Sequence, residues 1–102
     1  MILVRDIFQV QFGKIKEVIN LWKEGLDMEK MVGGGAMRSA RILTDLAGPS
    51  YYTLVLESTF ESLSDFENSF KSAMSSLEMR KWYQNVVPLT VSGYREIFTI
   101  VE

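Results

Sequence analysis

Residues 51–70, YYTLVLESTFESLSDFENSF, change their hydrophobic period in mid-stretch, and that change decides the fold. From Tyr51 to Phe60 the period is two, with Tyr52, Leu54, Leu56 and Phe60 on one side of an extended chain, the spacing of a strand. From Ser62 onward Leu63, Phe66, Phe70, Ala73, Met74 and Leu77 recur at intervals of three and four, the spacing of a helix buried along one stripe. Both Ser62 and Ser64 suit the helix start, the second with Glu67 three residues on as a capping box. A strand therefore feeds directly into a helix.

Upstream, residues 37–46 alternate again, and Gly48-Pro49 supplies the turn that makes a hairpin with the 51–60 strand. Further back, ILVRDIFQVQF at 2–12 is β-rich, with Val4, Phe8, Val10 and Phe12 on one face and Leu3, Arg5, Ile7, Gln9 and Gln11 on the other. Gly13 ends that run. Ile15, Val18, Ile19, Trp22 and Leu26 then mark an amphipathic helix that frays by about Met31. Downstream, a short helical piece carrying Trp82 and Tyr83 is stopped by Pro88, and 94–101 reads as a final strand. The order β-α-β-β-α-β in one domain, 1–102, predicts an α+β, ferredoxin-like arrangement. In it a four-stranded antiparallel sheet keeps its first and third strands at the centre and both helices on one face.

Composition narrows the function. A chain 47% hydrophobic and 24% charged is an ordinary globular one, and its net charge of −2 offers no footprint for nucleic acid or an anionic membrane. No run approaches the ~18 apolar residues of a membrane span. No secretory signal is expected at Met1, because Arg5 and Asp6 interrupt the first apolar run, so the expected compartment is cytoplasmic. There is no cysteine for a disulfide or thiolate and no histidine, the commonest metal ligand and general base. The serines have no histidine to activate them, and an all-carboxylate site from Asp6, Asp45, Glu57 and Glu96 would have arginines beside it, a poor setting for a cation. Neither a metal nor a cofactor is expected.

Gly33-Gly34-Gly35, followed by Arg38 and Arg41, resembles a phosphate loop only in composition. Phosphate loops place their glycines before a helix, where free N–H groups and the dipole meet the anion. These glycines follow a helix, so the dipole end on offer has the wrong sign. The arginines carry more information. Four of the five, Arg5, Arg38, Arg41 and Arg95, fall in predicted strands, whereas all six lysines lie on or beside helices. Guanidinium tolerates partly desolvated strand positions through forked pairs with carboxylates, and Glu57, Asp6, Asp45 and Glu96 are the strand acids available. Arg38 and Arg41 are an odd number of residues apart and cannot share a face without a bulge.

The sheet face away from the helices should be polar if it met water. By alternation it instead carries Leu3, Ile7, Leu43 and Val55 among Arg5, Gln9, Arg41, Tyr51 and Glu57. The simplest cover is the same face of a second copy. The runs LTDLAGPSYYTLVLES and FESLSDFE, the FGK before the first helix, and WYQNVVPLTVSGYREIFTIVE resemble the NIPSNAP-like branch of the dimeric α+β barrel superfamily. The resemblance implies a homodimer whose two sheets face each other around a shared barrel interior. It also implies relatives that include cofactor-free monooxygenases, haem-degrading monooxygenases and lactone isomerases. Without a histidine the chain departs from the haem-degrading pattern.

The expectation is a homodimeric small-molecule-binding or accessory protein with its pocket in the barrel interior. The alternative is a cofactor-independent monooxygenase or isomerase acting on an aromatic or quinone-like compound. Pocket candidates are Arg5, Gln9, Arg41, Tyr51, Glu57, Trp82 and Tyr83, the aromatics to hold a flat ring and Arg5 or Arg41 to face an anionic group. The expected partners are a second copy and a small aromatic or anionic ligand, with no nucleic acid and no membrane.

Overall fold

In the computed structural model, which describes residues 1–102, the chain runs β1 (Ile2–Val10), α1 (Ile15–Val32), β2 (Ser39–Thr44), β3 (Thr53–Phe60), α2 (Leu63–Ser75), α3 (Leu77–Val86) and β4 (Thr90–Thr99), with a 3-10 turn at Val87–Leu89. The sheet order is β2-β3-β1-β4, every pairing is antiparallel, and the three α-helices cover one face. The ferredoxin-like α+β fold is thus the one expected, and at 36 × 35 × 17 Å it is two layers thick. No helix is long and apolar enough to cross a membrane.

Local chemistry sets the joints. Gly13 takes φ 81° between β1 and α1, and Gly34 and Gly35 take φ 73° and 79° where the chain leaves α1, backbone positions that L side chains rarely adopt. Ser62, not Ser64, caps α2: its backbone is extended and its Oγ accepts from Asp65 N at 3.2 Å. Helix α2 stops at Ser75 because Ser76 is itself extended and caps α3, accepting from Met79 N at 3.3 Å. Leu77 consequently belongs to α3 and is exposed, and the buried line of α2 runs through Ser69 and Ala73.

Strand ends also differ from expectation. Tyr52 adopts φ 57°, which ends the turn and starts β3 at Thr53 rather than Tyr51. The last strand begins at Thr90, four residues before Tyr94, because β1 pairs with it from Ile2↔Thr99 to Val10↔Thr90, with a register shift between Gln9 and Val10. Gly93, inside this strand, is a packing requirement. A Cβ there would come 2.6 Å from the ring of Phe8, its cross-strand partner.

The core lies between sheet and helices and contains Val10, Val18, Leu54, Leu56, Ala73, Met79, Trp82 and Val86. Only 14 of 102 residues are buried, so the isolated chain leaves much of its apolar surface uncovered.

Candidate functional site

Period-two alternation gives the sheet two chemically distinct faces. On the helix-distant face the register aligns four side chains across the whole sheet, Arg41, Glu57, Arg5 and Glu96, alternating in sign. Glu57, only 9% exposed, accepts a hydrogen bond from Arg41 Nε at 2.7 Å, and Arg41 Nη2 forms an ion pair with the same oxygen at 2.6 Å. Arg5 Nε stands 3.0 Å from the other Glu57 oxygen, but its buried N–H lacks hydrogen-bond geometry, so that contact is coulombic. Arg5 Nη1 reaches Glu96 at 3.5 Å. The next row is apolar across all four strands: Leu43, Val55, Ile7 and Tyr94.

The candidates Arg5, Arg41, Glu57 and Gln9 therefore share one face. Gln9 does not reach that charge row; its side-chain amide donates to the backbone carbonyl of Tyr51, whose own ring is exposed. Arg38 lies outside β2 and pairs with Glu61 at 3.3 Å. Trp82 and Tyr83 are on α3, on the opposite side of the sheet, so within one chain the seven candidates do not surround a common space.

Trp82 and Tyr83 instead border a cavity of about 460 Å³ between the sheet and the helices. Its aromatic wall is continuous: Phe8 stacks on Trp22 at 5.2 Å, and Trp22 meets the Trp82 ring edge-on at 4.6 Å. Trp82 donates its indole N–H to Leu21 O, tying α3 to α1. It fits because Gly25 has no side chain: a Cβ there would lie 2.4 Å from the ring. The indole N–H of Trp22 is buried and has no acceptor in the protein.

Besides Glu57, whose carboxylate is held by the arginines of the far face, three charged residues border the same cavity. Asp6 and Arg95 are direct partners across β1 and β4, and Arg95 grips the carboxylate with Nε at 2.6 Å and Nη2 at 3.3 Å. The guanidinium lies over Phe66 and Phe70, 5.0 and 5.1 Å from their centroids. Glu29, from the inward side of α1, is outside that fork. Burial pushes its carboxyl above the ordinary value, Asp6 pushes it further, and Arg95 opposes both. The site thus combines a flat apolar wall with a carboxyl whose pKa is raised toward neutrality.

Asp6, Glu29, Arg95 and Trp22 were not among the site candidates, although the signals existed. Asp6 falls between Val4 and Phe8 on the helix-facing side by alternation, and Glu29 continues the Trp22–Leu26 stripe at the next helical interval. A charge in an apolar phase was the clue. No cluster of histidine, cysteine or carboxylate side chains is grouped to hold a metal ion.

No protein-family model and no curated protein matches the sequence. Solved structures do. A NIPSNAP family protein from Agrobacterium tumefaciens superposes over 99% of this chain and 86% of its own, with a TM-score of 0.85 and 17% identity. A putative antibiotic biosynthesis monooxygenase from Nitrosomonas europaea matches over 100% of both chains at a TM-score of 0.77 and 12% identity. SnoaB, a cofactor-independent oxygenase from Streptomyces nogalater, matches over 99% of this chain and 93% of its own at a TM-score of 0.75 and 10% identity. The NIPSNAP proteins among these neighbours are the branch that the sequence motifs resemble, and what the chain shares with all of them at such identities is the ferredoxin-like α+β fold.

Proposed function

We propose that this chain is a homodimeric small-molecule-binding protein whose ligand occupies the helix-side cavity of each protomer, against Trp22, Trp82 and Tyr83. The observation that carries this reading is the cavity itself: about 460 Å³, walled by stacked aromatics, with Glu29 and the Asp6–Arg95 fork at its edge. That volume and mix of apolar wall with few polar groups suit a small flat molecule. The sequence contains two tryptophans and both border the cavity, so their fluorescence reports occupancy. A flat aromatic probe should quench it saturably, and Met74→Phe, which fills the cavity from α2, should abolish the quenching. Undiminished quenching in that variant would remove the cavity from consideration.

The dimer belongs to the same proposal. The helix-distant face exposes Tyr94 (63%) and Phe98 (47%) beside a charge row of alternating sign, a pattern that a second copy turned by a two-fold axis can match. Such an interface should bury well over ~1,000 Å². Arg5, Gln9, Arg41, Glu57 and Tyr51 then serve assembly, and sedimentation showing only monomer at micromolar concentration would refute it. The proposed compartment is the cytoplasm, which cell fractionation checks.

A second reading has two observations behind it: the fold shared with a cofactor-independent oxygenase, and the raised Glu29 carboxyl. As an oxygenase the chain would hold an electron-rich aromatic compound while Glu29 takes a hydroxyl proton. The anion so formed reduces dioxygen itself; overall the C–OH and the ring C–H para to it both become C=O, one oxygen atom of dioxygen entering as the new carbonyl and the other leaving as water. Oxygen uptake with a dihydroxynaphthalene that disappears in Glu29→Gln would favour this reading over binding alone.

A further inference from the structure

We infer that the cavity selects by charge, taking uncharged aromatic hydroxyl compounds and excluding aromatic carboxylates, and that Glu29 sets this preference. The inference rests on the reading of the cavity as a ligand site and adds to it what the ligand must carry.

The argument is a count of charges and of free hydrogen-bonding groups. Arg95 is the single lysine or arginine bordering the cavity, and it is already answered: two of its N–H directions meet Asp6, and its flat side lies over Phe66 and Phe70. Glu57, which also borders the space, is paired with Arg41 and Arg5 on the far side of the sheet. What remains is Glu29. The groups that act on it are Asp6 from β1 and Arg95 from β4; Tyr83 borders the cavity from α3, and α2 contributes apolar Phe66, Phe70 and Met74. A carboxylate ligand would enter beside two carboxylates, where the one guanidinium is committed to the first. A hydroxyl meets no such penalty. It donates to Glu29 when that residue is ionised and accepts from it when it is protonated.

Naphthol and naphthoate are matched probes, alike in ring but one neutral and the other anionic, and tryptophan fluorescence follows both. In the unmodified protein at neutral pH naphthol should bind about tenfold tighter or more, the effect of one like-charge contact at protein-surface dielectric. Naphthoate should bind better as the pH falls below neutrality, because Glu29, whose pKa is raised, takes up its proton before the ordinary carboxylate of the probe does. Glu29→Gln should bring naphthoate close to naphthol and flatten that pH dependence. Asp6→Asn, which frees the Arg95 fork, should also strengthen naphthoate. Equal binding of the two probes by the unmodified protein, or full discrimination retained in Glu29→Gln, overturns charge selection and leaves the cavity as a ligand site. Failure of both probes to quench in all three proteins overturns the cavity reading itself.

Discussion

Gly25→Ala sets two effects of known size against each other. Alanine in place of glycine inside α1 should gain about 1 kcal/mol of helix stability. The added carbon, however, would stand 2.4, 2.6 and 2.9 Å from Cζ2, Cε2 and Cη2 of Trp82. The ring has little room to retreat, since its N–H is bonded to Leu21 O and its face meets the edge of Trp22 at 4.6 Å. Moving it loses that hydrogen bond, about 1 kcal/mol, and overpacks the wall at a cost of about 2 kcal/mol. The balance is a net loss of about 2 kcal/mol, or roughly 8–16 °C in Tm for a domain of this size. Thermal unfolding followed by circular dichroism, at one fixed protein concentration because of the proposed dimer, reads it directly. In a Trp82→Leu background the same substitution should become neutral or stabilising. A Gly25→Ala protein as stable as the parent would refute the claim that Gly25 exists to seat Trp82.

Glu57→Ala should cost about 2 kcal/mol, less than for a fully buried pair because Arg41 is largely in water, and the double variant with Arg5→Ala should lose less than the sum. Additive losses in denaturant unfolding would mean the two do not interact. Gly34→Ala should cost about 1 kcal/mol because φ is 73°, whereas Gly48→Ala, with nothing near the added carbon, should stay within about 0.5 kcal/mol. For Glu29 the folded pKa is raised, so its contribution is fully present below the unfolded value and is lost as pH rises through the folded one. Glu29→Gln should therefore gain stability relative to the parent on going from about pH 4 to neutrality, and a constant difference across that range would contradict the raised pKa.

Hydrophobic period alone carried the element order and the two-layer fold, because strands and helices here bury one face each and say so every second or every third and fourth residue. It misplaced the ends where single residues overrule the pattern. Tyr52 turns left-handed, Ser76 splits one expected stripe into two helices, and β4 already begins at Thr90, with Gly93 inside it making room for Phe8. The site was harder to read. Arg5, Arg41 and Glu57 stand out in sequence as charges in strands, and they meet on the face away from the helices. Asp6, Glu29 and Arg95 are as charged and as legible one by one. What joins them is the β1–β4 register and the rotation of α1 over the sheet, and both are products of packing.

That register connects the two faces. In β1 and β4 the pair Arg5↔Glu96 is immediately followed by Asp6↔Arg95, so adjacent rungs of one ladder send an ion pair to each side. A slip of one residue between these strands would exchange the faces, since side chains alternate with a period of two. It would also place Phe8 opposite a residue other than Gly93, where a Cβ would overlap its ring. The four-residue charge row resists the same slip, because it would set Arg5 against Arg95 or Ile97 instead of Glu96. The helix-distant charges thus do work for the cavity without touching it: by holding β4 in register they keep Arg95 facing Asp6 and leave Glu29 as the cavity's free carboxyl.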